Sequence, residues 1–204
     1  MPFIEARNHY IEKVKSHALV GQDLANLWSI YEGKTSFVDL GCGNGHFLSE
    51  YLKLHPEMAG LGVDKRFKRI FKTAEKLQRN ESLQSRVIFW DVPTFVQDSP
   101  AEFWDEVWMQ FPDPWPKDRH EKHRMVTKEF FQQIYRILKP GGRFCFRSDC
   151  RSYWEFFQIE NSRREFFPIV LSQKGDLFET EPKTLFQRRF LQAGVPIYSL
   201  QLRK

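Results

Sequence analysis

The stretch from Ser36 to Gly45, SFVDLGCGNG, decides the fold of this 204-residue chain. Ser36 to Leu40 is short and largely apolar, which predicts a buried strand, and it runs straight into glycines that let the backbone turn sharply and approach a ligand. From Gly45 to Leu54 the spacing turns helical, with Phe47, Leu48, Tyr51 and Leu52 apolar, and His55-Pro56 ends it. Strand, glycine turn and helix open a βαβ unit.

The same alternation continues outward. Ala59 to Val63 is a second strand ended by Asp64, and Lys65 to Arg79 is a helix with Phe67, Ile70, Phe71, Ala74 and Leu77 on one face. Arg86 to Trp90 and Glu106 to Phe111 are further strands, separated by a Pro-containing segment with room for a short helix. A helix over Thr127 to Leu138 precedes a turn at Lys139-Pro-Gly-Gly142 and a fifth strand over Arg143 to Arg147. A helix around Ser152 to Arg164 and strands around Phe166 to Ser172 and Pro196 to Leu202 complete seven strands. The pattern implies an α/β fold with a doubly wound, mostly parallel sheet, whose ligands sit beyond the carboxyl ends of the strands.

Composition narrows the class. Hydrophobic residues are 41% and charged residues 28%, with no apolar run approaching the ~18 residues of a membrane span, which implies a soluble protein without membrane partners. The first twenty residues mix acids and bases without an apolar signal region, so the cytoplasm is the expected compartment. Cys42, Cys145 and Cys150 form no CxxC pair and predict reduced thiols. A net charge of +5 mildly favours a polyanionic partner. The sequence leaves monomer and homodimer both open.

The candidate site residues stand at the strand ends. A dinucleotide fingerprint over Gly41 and Gly43 would need a third glycine at residue 46, which is His46, and this counts against a nicotinamide cofactor. Asp39 can face positive charge on a cofactor or tie down the loop amides. Asp64 can accept two ribose hydroxyls or cap the following helix, and Asp91 can accept an adenine amine or do neither. In Phe111-Pro-Asp-Pro-Trp-Pro-Lys117 three prolines restrict Phe111, Asp113 and Trp115 to extended backbone, giving a stiff loop. Lys117, Arg119, His120, Lys122, His123 and Arg124 can bind phosphates or, with Asp118 and Glu121, form a solvated face; His120 and His123 have no third metal ligand, and no metal is expected. Asp149 can accept a base-edge amine or anchor a loop, and Pro182 to Arg189 reads as an amphipathic segment.

An acid followed by GxGxG resembles the S-adenosylmethionine-dependent methyltransferases. With FPDPWPK, Ser148-Asp149 and Thr184-x-Phe186 added, the chain from about Ser36 onward resembles the tRNA (guanine-N7-)-methyltransferase family. That resemblance implies a Rossmann-like methyltransferase sheet with an antiparallel last strand over residues 35–204, preceded by an N-terminal arm or helix over 1–34 for which RNA contact is one reading. It implies methyl transfer from S-adenosylmethionine to N7 of guanine 46 in the tRNA variable loop, with S-adenosylhomocysteine as co-product. By position it makes Asp39, Gly41, Gly43, Gly45, Asp64, Asp91 and Asp113 cofactor-site residues, Asp113 also the catalytic one. Lys117, Asp149, Thr184, Leu185, Phe186 and Gln187 match substrate-contacting positions, and Arg119 to Arg124 the RNA-contacting segment. Three positions depart: Asp118 stands where a second base is common, Asp39 where Glu is frequent, and Gln187 where Glu is usual. The rivals are methylation of a small molecule or protein side chain by the same fold, and an RNA-binding module without catalysis.

Overall fold

A computed structural model describes residues 2–113, 127–162 and 169–204, and its contacts divide the chain into residues 1–95 and 96–204. The first unit holds α1 (Pro2–Ser16), β1 (Val20–Gly21), α2 (Leu24–Tyr31), β2 (Ser36–Leu40), α3 (His46–Leu54), β3 (Ala59–Asp64), α4 (Phe67–Arg79) and β4 (Arg86–Phe89). The short α5 (Val92–Asp98) runs across the boundary. The second unit holds β5 (Trp104–Gln110), α6 (Lys128–Ile137), β6 (Leu138–Ser148), α7 (Arg151–Ser162), β7 (Ile169–Lys174), α8 (Leu185–Gln192) and β8 (Tyr198–Arg203).

In the first unit the strands lie in the order β1-β4-β3-β2, all parallel. β2 and β3 are buried at every position, as strands covered on both faces must be, so their apolar residues run without alternation. Phe37, Leu48, Tyr51, Leu61 and Ile70 are fully buried and form the core. In α4 the buried stripe is Ile70, Thr73, Ala74 and Leu77. Phe67 and Phe71 are only half-buried, because Phe67 stacks on Phe89 at 3.8 Å and Phe71 receives Tyr10 of α1 at 5.9 Å.

In the second unit the order is β5-β6-β8-β7, with β5 and β6 parallel and β8 antiparallel to both neighbours. Trp104, Trp108, Ile134, Phe144, Phe146 and Leu200 fill its core. Thr127 caps α6 by accepting from the Phe130 amide at 3.2 Å.

All seven expected strands are present, most within two residues of their expected ends, and the two-residue β1 is added. The expected strand beginning at Phe166 is seen from Ile169 to Lys174, residues 163–168 lying outside the described ones. Lys139 to Gly142 is not a free turn. It lies inside β6, where the pairing with β5 shifts between Trp104/Leu138 and Glu106/Arg143, and Gly141 takes the positive φ of +79° that this bulge needs. Asp39 and Asp64 sit in the last residues of β2 and β3, the glycines, Asp91, Asp113 and Asp149 follow the carboxyl ends of β2, β4, β5 and β6, and Thr184 to Gln187 stand at the start of α8.

Candidate active site

The glycine loop is held from below by β3. The amides of Gly41 and Cys42 both donate to the Val63 carbonyl, at 2.8 and 3.0 Å, and the Gly43 amide donates to Asp64 Oδ2 at 3.2 Å. From α4, Thr73 Oγ1 donates to the Gly43 carbonyl at 3.1 Å and Lys76 Nζ to the Asn44 carbonyl at 2.6 Å. Gly45 sits at the N-cap of α3 with φ +67°, and a Cβ there would come within 2.3 Å of Thr73 Cγ2, so only glycine fits. Beside Gly41 a Cβ would meet nothing within 4 Å, so the loop is open on that side.

Two buried carboxylates line the mouth of the loop. Asp64, 4% exposed, takes the amides of Gly43 and Arg66 and the Arg69 guanidinium, at 3.2, 2.9 and 3.3 Å. A carboxylate has about four acceptor positions, so one remains for a hydroxyl. Asp39, 3% exposed, has its pKa pushed up to about 7 by burial and by the neighbouring Asp64 charge. Asp91 is exposed just ahead of α5, with its carbonyl on the Phe95 amide at 2.9 Å.

The second unit gathers the remaining described candidates around the end of β5. Phe111 has φ +51°, so the expectation that Pro112 holds it extended fails. Its amide donates to the Arg147 carbonyl at 2.7 Å and its ring meets Phe190 at 5.4 Å, contacts that hold a conformation costing about 1–2 kcal/mol. Asp113, exposed, follows this kink and accepts at its carbonyl from the Tyr153 hydroxyl at 2.9 Å. Trp115, Lys117, Asp118, Arg119, His120, Lys122, His123 and Arg124 lie outside the described residues. Asp149 is half-buried after β6.

Thr184 caps α8 by accepting from the Gln187 amide at 3.0 Å. Leu185 and Phe186 are 37% and 52% exposed, and Phe186 continues the aromatic row to Phe190 at 6.3 Å. Gln187, by contrast, is fully buried, and its side-chain amide donates to Asp176 Oδ2. Asp176 Oδ1 in turn takes Arg147 Nε at 2.9 Å and the Phe178 amide at 3.0 Å. The buried Arg147 donates further to Gln110 Oε1 at 2.8 Å and to the carbonyls of Phe178 and Pro182 at 2.7 and 3.1 Å. One guanidinium thus ties the end of β5 to the segment leading into α8. Sequence reading passed over Arg147, Asp176, Tyr153 and Phe190; the available signal was an arginine inside the apolar strand RFCFRS.

The first unit's site fits a cationic adenosine-type cofactor better than a pyrophosphate. The amides of Gly41, Cys42 and Gly43 are already spent on Val63 and Asp64, and two buried acids stand where phosphate would need donors. S-adenosylmethionine brings a sulfonium and an ammonium, which suit Asp39, and a ribose, which suits the open position on Asp64.

Such a loop and acids on an α/β sheet with an antiparallel last strand define a Rossmann-like methyltransferase. A family model described as "Putative methyltransferase" matches residues 33–200. The Lactobacillus johnsonii tRNA (guanine-N(7)-)-methyltransferase is 30% identical over 80% of this chain and 77% of its own length. The enzyme of that name from Mycoplasma pneumoniae is 28% identical over 86% and 87%. Among solved structures, an antibiotic-related methyltransferase covers 92% of this chain and 98% of its own at TM-score 0.63 and 15% identity. A 16S rRNA (adenine(1408)-N(1))-methyltransferase from Catenulisporales acidiphilia, solved with its cosubstrate S-adenosylmethionine, also gives 0.63, at 17% identity over 92% and 94%. The chain belongs to the tRNA (guanine-N7-)-methyltransferase family.

Proposed function

We propose that this chain transfers the methyl group of S-adenosylmethionine to N7 of a guanine in tRNA, guanine 46 of the variable loop, giving 7-methylguanosine. The observation that carries the reading is 30% identity over 80% of the chain to an enzyme of that name, in a chain that sets Phe111-Pro-Asp-Pro-Trp-Pro-Lys117 after β5. When bound, S-adenosylmethionine supplies a methyl on a sulfonium leaving group. N7 carries a lone pair and no proton, so no base is needed and the residues act by placement and electrostatics. Asp39 faces the donor's positive end, Asp64 a ribose hydroxyl, Asp91 the adenine amine, and Gly41, Gly43 and Gly45 shape the cradle. Asp113 holds the guanine through its N1 and N2 protons and offsets the positive charge that methylation leaves on the purine. Phe186 offers an exposed face for a stacked base, and Asp149 a second acceptor. Gln187 works from inside, bracing Thr184, Leu185 and Phe186 through Asp176. Lys117, Arg119, His120, Lys122, His123 and Arg124 take tRNA phosphates, and the reaction runs in the cytoplasm without a metal.

The test is transfer of labelled methyl from S-adenosylmethionine to bulk tRNA, followed by digestion and nucleoside identification. Labelled 7-methylguanosine, absent from a transcript with adenine at position 46, is expected. Donor binding without transfer to tRNA would refute the substrate.

A further inference from the structure

Residues 65–79 contain seven cations and one acid, a net +6, whereas the whole chain carries +5. Everything outside this one segment therefore sums to −1, and the basic character of the protein belongs to α4 and the two residues before it. The cations fall in register: Lys68, Lys72, Lys76 and Arg79 are spaced by four, four and three, which places them on one line along α4, and Lys65 stands just ahead of the extended N-cap Arg66. The helical part of this line is about 16 Å long, with about 5–6 Å between neighbours.

Lys65, Lys68, Lys72 and Arg79 are exposed, and among the described residues none of the four meets a carboxylate. Glu75, the one acid of the helix, is turned toward His17, 3.6 Å away. Arg69 is spent on Asp64, and Lys76 is tied to the glycine loop through the Asn44 carbonyl. Lys68 also lies over the Tyr10 ring of α1 at 5.8 Å, and Lys13 of α1 over Phe71 at 5.1 Å, which carries the positive surface onto α1.

A merely solvated helix face mixes signs, and this one does not. Like charges at these spacings cost a few tenths of a kcal/mol per pair, and cations in the first turn oppose the helix dipole. The crowding is felt within the line: after burial, the charges of Arg79 and Lys72 lower the pKa of Lys76. Exposed cations that, like Lys65, Lys68, Lys72 and Arg79, meet no carboxylate among the described residues match a polyanion of regular charge.

We propose that Lys65, Lys68, Lys72 and Arg79 form a docking rail for the sugar–phosphate backbone of the RNA substrate, additional to the basic segment at 117–124. This rests on the tRNA reading above. Because Arg69 and Lys76 clamp α4 to Asp64 and the glycine loop, RNA held on the rail lies beside that loop.

The experiment replaces the four residues together, Lys65→Gln, Lys68→Gln, Lys72→Gln and Arg79→Gln, and measures tRNA affinity against KCl concentration. Gln keeps helix propensity, and the same preparations are checked by thermal melting and by S-adenosylmethionine affinity. Each phosphate contact contributes ~0.7–0.9 to the slope of log affinity against log salt, so the slope should fall by about 3, with donor affinity unchanged. The pair Lys72→Gln and Arg79→Gln should give about half that fall, and four arginines should restore the native slope. A folded, donor-binding quadruple variant with native tRNA affinity and slope would overturn the rail while leaving the tRNA reading intact. A native chain that binds and methylates no tRNA would overturn the reading itself. Loss of binding to phosphatidylglycerol vesicles without loss on tRNA would also overturn the rail, by making it a lipid surface.

Discussion

Replacing Asp39 with Asn should make methyl-donor affinity independent of pH and raise the stability of the fold above neutrality. Burial and the Asp64 charge lift Asp39 from 3.8 to about 7, so the empty site is half-protonated near neutral pH. A sulfonium or ammonium bound against this group needs it ionised, and binding below pH 7 must therefore expel a proton. For one such group the donor should bind roughly tenfold more weakly at pH 6 than at pH 8, about 1.4 kcal/mol, with close to one proton released per donor at pH 6.

The sign for stability is opposite to that of a salt-bridged carboxylate. The folded pKa lies above the unfolded one, so the contribution is most favourable below pH 3.8 and is lost as pH rises to about 7. A shift of some three units is worth as much as ~4 kcal/mol above neutrality, on the order of 10 °C in Tm for a chain of this size. Asp39→Asn should recover part of that at pH 8 and none at pH 4. Calorimetric titration of S-adenosylmethionine in buffers of different ionisation enthalpy counts the protons, and thermal melts at pH 4 and 8 read the stability. Donor affinity in the native chain that stays flat from pH 6 to 8, or an Asp39→Asn variant that keeps the native pH profile, would refute the reasoning.

Asp113→Asn should lower kcat/KM for tRNA by ~100-fold, about 2.7 kcal/mol; turnover within a few-fold of native would show that the carboxylate charge is dispensable. Gly45→Ala should cost at least ~2 kcal/mol in denaturant unfolding, because φ is +67° and the new Cβ would overlap Thr73, and Thr73→Ala should restore part of it. Gln187→Glu would set a second carboxylate against Asp176 Oδ2, which now accepts from the Gln187 amide. Its loss of stability should be larger at pH 8 than at pH 5, where one proton can be shared, and equal losses at the two pH values would argue against direct apposition.

What the sequence made legible was whatever depends on local pattern. Strand and helix register follows from periodicity, so β2, β3 and the buried stripe of α4 emerge from single segments. The glycines are legible for the same reason, since a sharp turn at a strand end has few chemical solutions. Phe111 is not, because its positive φ is set by the Arg147 carbonyl and the Phe190 ring, neither of which is near it in sequence. Lys139 to Gly142 reads as a turn from its own residues, yet the pairing of β5 with β6 converts it into a bulge.

Gln187 makes the same point for function. Against a family pattern with Glu, it reads as the loss of a carboxylate that touches substrate. In the fold its amide faces Asp176, which also takes Arg147, so this constellation already has its acid, placed eleven residues earlier in the chain. A glutamate at 187 would repel Asp176, whereas glutamine supplies the donor that Asp176 Oδ2 receives. The departure at one position is therefore intelligible only together with the identity of the other. Charge behaves alike: a net +5 says little when averaged over the chain, and it becomes an argument once the excess is found in residues 65–79, beside the glycine loop.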